Sequence, residues 1–339
     1  MGPVLVQGDG VAAYCCVHLL QRAGIPVAID RPSRPRVPAI MLSEAAVLMI
    51  SDVFGRKDLF LDRPRIKSRS VLWGANAEAV TLPHSAVVVS EEELLDQLRP
   101  KLEEPETTGN PEWSVFAARP LPPESVEHGF GSRTARAFSV ELNDGAHPSC
   151  WAESVDDGWL FMIGSGNGKG WLLGVGGSMQ NSLERSRLIA PQVDRIGERS
   201  GEFPAFPRIV APLCGAAEQS WLACGTAAMA FDPLCGDGTA YAVREAILAV
   251  AVIRAVAAGA PMADVFAHYN ARLTAGFHRH LTECAGFYRS GGTSDWWRGE
   301  YNAVERGLTW CSETMSTYPA FRFRLNGFEL EAVTSSTSA

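Results

Sequence analysis

Residues 221–256 constrain the fold more than any other stretch, because a glycine-rich loop runs there without a break into an almost wholly apolar helix. Gly236 and Gly238 carry no Cβ, so a flat ligand can lie directly against this backbone, and Pro233 holds φ near the value that turns the loop inward. From about Thr239, the apolar residues Ala242, Val243, Ala246, Ile247, Val250 and Ile253 recur at helical spacing. The open first turn of such a helix has unpaired N–H groups and a partial positive charge. An electron-rich or anionic group is its natural occupant.

A matching half lies at the other end of the chain. Val4, Leu5 and Val6 form an apolar run before Gln7; then Gly8-Asp9-Gly10-Val11-Ala12-Ala13 opens an apolar helix that runs through Leu20 and stops at Gly24. A second strand, Val27-Ala28-Ile29, ends on Asp30. Strand, glycines, helix and acid in this order form a βαβ dinucleotide fingerprint, G-x-G-x-x-A, in which Asp30 takes the ribose hydroxyls.

With 339 residues, 46% of them hydrophobic, the chain can bury a large core and build two domains. A net charge of -8 argues against nucleic acid or an anionic membrane as the main partner. Residues 246–260 approach a membrane-spanning run, but Arg254 interrupts them. A first strand beginning at residue 4 leaves no room for a signal peptide, so a cytoplasmic location is expected. The eight cysteines, at 15, 16, 150, 214, 224, 235, 284 and 311, show no C-x-x-C pair and no nearby histidine spacing suited to zinc. Reduced thiols and no metal are expected.

Gly8, Gly10 and Ala13, taken with Gly225-Thr226-Ala227-Ala228, Asp232-Pro233 and Gly236-Asp237-Gly238, resemble the FAD-dependent aromatic hydroxylases and flavin-dependent halogenases. Those families pair an N-terminal βαβ fingerprint with a late G-D-A-A-x-x-x-D-P-x-x-G-x-G loop. The wording around Phe231-Asp232-Pro233-Leu234-Cys235-Gly236, together with Phe287-Tyr288-Arg289-Ser290 and Trp296-Trp297-Arg298, is most similar to the halogenase-like monooxygenases that help mature peptide-derived quinone cofactors.

The resemblance implies an α/β fold. A Rossmann-like FAD-binding domain of the aromatic hydroxylase type comes from residues 1–70, 90–120 and 205–260, and a β-sheet substrate domain from 71–89 and 121–204. A C-terminal helical segment, 261–332, and a disordered tail, 333–339, complete the chain. FAD contacts are expected from Gly8, Gly10, Val11, Ala12, Ala13, Asp30, Arg31, Gly225, Thr226, Asp232, Pro233, Gly236, Asp237, Gly238 and Thr239. Trp159, Phe161, Leu234 and Cys235 are expected in the substrate pocket. The implied activity is flavin-dependent monooxygenation of an electron-rich aromatic group through a flavin C4a-hydroperoxide. The ring is either a small aromatic acid or a Trp or Tyr side chain of a partner polypeptide, and the reductant is NAD(P)H or a partner reductase. No catalytic acid or base is singled out, since the histidines show no partner spacing.

The chain departs from the family pattern at several positions. Thr226 stands where the family has a ribityl-binding aspartate, and Glu91, Glu92 and Glu93 stand where a helix usually begins with arginine. The Asp-Gly turn expected after residue 113 is missing. Phe161 and Gly164 replace the second Trp and the Pro of the halogenase Trp-x-Trp-x-Ile-Pro sequence. Two further readings therefore stay open: a flavin-poor escort on a degenerate flavoprotein fold, and a flavin-dependent halogenase.

Between these landmarks, residues 31–38 form a basic, proline-rich connector, whose Arg31, Arg34 and Arg36 are either solvated or, by the resemblance, near the pyrophosphate. Ser43 caps a helix that stops at Gly55, and Ser90 caps another over residues 91–98. Strands are expected at 71–73, 79–82 and 86–89, and in a strand-rich region over 134–180 that puts Trp159 and Phe161 on one face. Residues 164–170 read as a mobile hairpin turn, because a strand follows them and the phosphate-loop spacing is missing. One or two helices are expected over 262–288 and another over 295–315. The aromatics at 287, 296, 297, 301 and 310 either pack on the body or share a substrate mouth.

Overall fold

In the computed structural model, the described residues are 1–100, 111–121, 124–143, 149–216, 220–319 and 322–333. The polar loop at 101–110, His147 and the tail from 334 onward lie outside them.

The chain opens with β1 (Val4–Gln7), α1 (Val11–Arg22) and β2 (Val27–Asp30), then β3 (Ile40–Ser43) and α2 (Glu44–Phe54). Next come β4 (Arg65–Leu72), β5 (Val80–Val89), α3 (Glu91–Leu98), β6 (Trp113–Phe116) and β7 (Val126–Gly129). A run of strands follows: β8 (Thr134–Leu142), β9 (Ser149–Val155), β10 (Gly158–Gly166) and β11 (Lys169–Gly176). After α4 (Met179–Arg185) come β12 (Val193–Pro204), β13 (Arg208–Ala211), β14 (Trp221–Ala223), the single turn α5 (Gly225–Ala228) and β15 (Met229–Ala230). The chain ends in α6 (Gly238–Ala257), α7 (Met262–Ser290), α8 (Asp295–Ser316), β16 (Phe323–Asn326) and β17 (Glu329–Ala332).

Four parallel strands in the order β14-β6-β1-β2 make the first sheet. Strands 217 residues apart in sequence, at Val4 and Trp221, thus share one sheet through β6. The nearly continuous burial of α1 and α6 follows from their packing against each other beside this sheet. A helix apolar on all sides must be enclosed.

The larger sheet has eight strands in the order β12-β8-β11-β10-β9-β4-β5-β3, antiparallel except where β4 lies parallel to β9. Alternation sorts its side chains into two layers. Trp159 and Val175 join the main core, whereas Leu160, Met162 and Leu172 join a separate cluster covered by Met179 and Leu183 of α4. No helix among the described residues is long and apolar enough to cross a membrane.

Local signals placed the caps. Ser43 Oγ accepts the Ala46 amide at 3.1 Å, and Gly55 ends α2 at φ 63. Ser90 and Glu93 form a reciprocal capping box at the start of α3. Asn167 and Gly168, at φ 54 and φ 69, make the two-residue turn between β10 and β11 that the glycine-rich sequence predicts.

Other expectations need correction. Residues 79–82 and 86–89 are one strand, β5, running through Pro83. Pro83 is tolerated because the β4 pairing bulges beside it and β3 covers only residues 86–89, so no ladder on that side needs its amide. Residues 262–290 form one helix of 29 residues. The C-terminal segment is not helical throughout, since β16 and β17 form a hairpin about Gly327, at φ 59. The alternation in Phe323-Arg324-Leu325-Asn326, followed by Gly327, was the available signal. Of the two readings of the C-terminal aromatics, packing on the body holds for Trp297, which is 1% exposed; its indole donates to the Val155 carbonyl at 2.9 Å and stands edge-on to Trp73.

Candidate functional site

The site lies at the carboxyl ends of β1, β6 and β14, where an open parallel sheet presents helix N-termini. Gly8 leaves β1 at φ 150, and its amide donates to the Asp30 carbonyl at 2.8 Å. A Cβ there would stand 3.0 Å from Ala117 Cβ and 3.2 Å from the Ala117 backbone carbon, so the close approach of these two segments requires glycine. Gly10 is the N-cap of α1 in extended backbone, φ -146, and no side chain caps the helix.

Asp9, between the two glycines, is buried and accepts the Tyr14 hydroxyl at 2.9 Å and a salt bridge from Arg36. Burial alone would raise its pKa, but the bonds from Tyr14 and Arg36 outweigh it and hold the carboxyl below its ordinary range. The guanidiniums of Arg34 and Arg36 also bond the Asp9 carbonyl, at 3.0 and 2.8 Å. Arg31, by contrast, lies over the Tyr14 ring at 5.5 Å.

The second half of the site is the start of α6. Asp237, at φ 66, is its N-cap residue, but its carboxylate accepts the Ser43 hydroxyl at 2.9 Å instead of a helix amide. The first turn of α6 is therefore left without a side-chain cap, next to the uncapped first turn of α1. Gly10, Val11, Ala12, Ala13, Gly225, Thr226, Gly238 and Thr239 line one cavity of about 170 Å³, together with Arg34 and Glu91. Two positive helix ends facing one space suit an anionic group.

Glu91, 6% exposed, pairs with Arg34 and accepts the Val37 amide at 2.9 Å. The glutamate found where the family pattern has arginine thus brings in an arginine from the connector. Thr226 donates to the Ala117 carbonyl at 3.4 Å.

Several expected site residues do not line this cavity. Asp30 sits exposed at the end of β2, next to Gln7 in register. Asp232 is fully buried and anchors a polar network instead. It accepts from Arg133 Nε at 2.9 Å, from the Tyr288 hydroxyl at 2.9 Å and from the Leu234 amide at 2.8 Å, and its own amide donates to His280 Nε2 at 2.9 Å. Arg133 also pairs with Glu300, which accepts the Ser132 hydroxyl at 2.9 Å. The network therefore ties the loop before α6 to the segment just before β8 and to α7 and α8.

Burial would depress the Arg133 pKa, but Asp232, Tyr288 and Glu300 hold it far above the ordinary value. Burial and the Asp232 charge push Tyr288 up. Burial, helped by Arg133 and opposed by Asp232, lowers His280 to about 4, so the imidazole is neutral.

Trp159, expected in the substrate pocket, is 0% exposed and donates its indole N–H to Tyr288 at 3.1 Å, a core position. Phe161 is half-buried on the same strand. Pro233, Leu234 and Cys235 form a short 3-10 turn capped by Asp232, and Gly236 follows at φ 66 with open space where a Cβ would lie. Cys235 Sγ is 3.4 Å from Cys284 Sγ. A second cavity, about 160 Å³, lies on the other flank of α6 between Tyr241, Arg244, Glu245, Arg272 and Arg279. Among the described residues the Glu245 carboxyl oxygens have no hydrogen-bond partner within bonding distance; burial pushes the pKa well above the ordinary value, and the nearby Gly225 amide opposes this only in part.

Sequence reading missed Arg133, His280, Tyr288 and Glu300 as a unit. No spacing links them, since Arg133 meets Asp232 across 99 positions and Glu300 across 167.

The sequence matches no protein-family model and no curated protein. Solved structures do match it. The flavin-dependent halogenase CmlS is 18% identical, with a TM-score of 0.71, over 93% of this chain and 71% of that one. The peptidyl tryptophan dihydroxylase QhpG, described as essential for tryptophylquinone cofactor biogenesis, is 18% identical with a TM-score of 0.70, covering 98% of this chain and 86% of that one. The myxobacterial chondrochloren halogenase CndH gives 16% identity and a TM-score of 0.72 over 94% and 91% of the two chains. The chain has the fold of the flavin-dependent halogenases and monooxygenases.

Proposed function

We propose that this protein is an FAD-dependent monooxygenase that hydroxylates an electron-rich aromatic side chain, Trp or Tyr, on a partner polypeptide. The observation that carries the flavin reading is the cavity built by two stretches more than 200 residues apart, onto which two uncapped helix N-termini converge. The donor set fits FAD. The α1 N-terminus, Gly10 and Arg34 would hold the pyrophosphate, Gly8 would let the backbone turn tightly beneath it, and Asp30 would take the ribose hydroxyls. Thr226 would offer a neutral contact to the ribityl chain, and Gly238 and Thr239 a positive helix end to the reduced ring.

When bound and reduced, the flavin supplies activation of dioxygen, one atom going to the ring and the other leaving as water. The protein's part is position, electrostatics and a dry enclosure. The Arg133, Asp232 and Tyr288 network would hold the loop from Pro233 to Gly236 still while that happens. Electrons would come from NAD(P)H or a partner reductase.

Likeness across 98% of the chain to a peptidyl tryptophan dihydroxylase supports the polypeptide substrate. Halogenation is the second reading, favoured by the likeness to halogenases and opposed by Phe161 and Gly164 at the positions of the halogenase Trp and Pro.

The test has two stages. FAD added to purified protein should give a bound flavin spectrum and raise Tm; a colourless protein with unmoved Tm would refute the flavin reading and favour an escort. Reduced enzyme, oxygen and chloride with candidate peptides should then give a gain of about 16 Da per oxygen atom and no chlorine isotope pattern. A chlorinated product would convert the reading to a halogenase, and rapid oxidation of free aromatic acids alone would remove the polypeptide.

A further inference from the structure

Behind the loop that precedes α6, three side chains from two distant stretches of the chain meet. Cys235 sits on the turn Pro233–Cys235, half-buried, and His280 and Cys284 lie four residues apart on one face of α7. The two sulfurs are 3.4 Å apart, and Cys284 Sγ is 3.4 Å from His280 Nε2. One donor atom from each of the three lies within 4.8 Å of the others.

These separations match those between ligands of a small tetrahedral ion. Metal–sulfur bonds of about 2.3 Å and metal–nitrogen bonds of about 2.0 Å give tetrahedron edges of roughly 3.8 Å between sulfurs and roughly 3.5 Å from sulfur to nitrogen. To admit the ion, the two sulfurs would need to separate by a few tenths of an ångström, and the third edge, from Cys235 Sγ to His280 Nε2, already lies within 4.8 Å.

We propose that Cys235, His280 and Cys284 form a binding site for a thiophilic divalent cation of the zinc class. Charge supports it. Two thiolates and a neutral imidazole cancel the charge of a divalent ion, so the filled site adds no net charge to a buried region, and two protons leave to solvent as it forms. The tautomer supports it as well. His280 Nε2 accepts the Asp232 amide, which puts the ring proton on Nδ1, the form that a metal at Nε2 requires.

Capture of the ion exchanges that one neutral hydrogen bond for a coordinate bond. Asp232 itself cannot join, since its two carboxylate oxygens already accept from Leu234, Arg133 and Tyr288. The protein therefore supplies three ligands, and a water would complete the tetrahedron. The bound ion would pin the turn at residues 233–235 to α7, next to the open end of α6.

The test uses the full chain, stripped with a chelator and kept under a non-thiol reductant. Zn²⁺ is titrated in competition with a fluorescent chelator, and Co²⁺ is followed by absorbance. The expected result is one zinc per chain and, with cobalt, a thiolate charge-transfer band with the intense visible bands of a tetrahedral ion. Cys235→Ser, Cys284→Ser and His280→Gln should each weaken zinc binding by about 100-fold or more. Cys235→Ser is the control for folding, because its side chain is half-exposed, and its circular dichroism should match the parent. Zinc well below one per chain, a weak octahedral cobalt spectrum, or undiminished binding in folded Cys235→Ser would overturn the proposal. So would loss of two titratable thiols to a Cys235–Cys284 disulfide in protein that takes up no zinc after reduction. None of these readouts involves flavin, so the outcome is separate from the reading of the cavity.

Discussion

Gly10→Val separates folding from cofactor binding better than substitution at the neighbouring glycines. Gly10 has an extended backbone at φ -146, ψ -178, which any residue adopts. Among the described residues a Cβ there meets only Arg34 Nη2, at 3.2 Å, the far end of a flexible side chain. The structural cost is therefore mainly a poorer N-cap, about 1 kcal/mol, and for a chain of this size a fall in Tm of about 2 °C.

Binding should suffer far more. The valine side chain would stand in the cradle at the end of α1, where two charge-assisted amide bonds to phosphate, at about 1.5–3 kcal/mol each, would be lost. Their sum, about 3–6 kcal/mol, weakens FAD by roughly 10² to 10⁴-fold. Flavin fluorescence titration measures the affinity, and thermal melts with and without FAD measure the fold. An affinity within threefold of the parent, at unchanged Tm, would refute the placement of the pyrophosphate. Gly8→Val and Gly225→Val would not serve, since Gly8 stands at φ 150 against the Ala117 backbone and Gly225 at φ 57 with Ala12 Cβ 2.7 Å from its added carbon. Either substitution strains the fold itself.

Three further outcomes are expected. Arg133→Met strands the buried carboxylates of Asp232 and Glu300 and should cost about 3–5 kcal/mol in urea unfolding; a loss under 1 kcal/mol would show that the network contributes little. Glu245→Gln should stabilise the protein at pH 8 and leave it unchanged near pH 4. Burial raises the folded-state pKa of Glu245, so the wild-type penalty is absent below the unfolded value and grows by about 1.4 kcal/mol per pH unit up to the folded one. Equal Tm values for the two proteins at pH 8 would count against a buried, unsatisfied carboxyl. Glu91→Gln should loosen Arg34 and weaken FAD by about tenfold with little change in Tm, and unchanged affinity would remove Arg34 from the pyrophosphate site.

The caps at Ser43 and Ser90, the Asn167-Gly168 turn and the strand, helix and strand from Val4 to Asp30 were legible because each depends on residues within a few positions of one another. The long apolar run of α6 was legible for the same reason. Both halves of the cavity were recognisable as separate motifs, including the doubt raised by Glu91. What the sequence did not reveal was that Glu91 would hold Arg34, because that pair forms across 57 positions. It also left open whether Trp159 and Trp297 are core or face a substrate, since a strand or helix presenting aromatics looks the same whether solvent or another layer faces it.

Sequence by itself therefore determined the class of fold, the two glycine turns and the helices whose open ends they begin, since these follow from backbone conformation and short-range periodicity. Tertiary structure alone decided which side chains meet. Arg133, Asp232, Tyr288 and Glu300 converge from the segment just before β8, a loop and two helices, and Cys235 reaches His280 and Cys284 across more than 40 positions. The physical reason is that a buried charge or thiol takes its partner from whatever element packs nearby, and that adjacency is set by the sheet order and by the docking of α7 and α8, not by spacing along the chain.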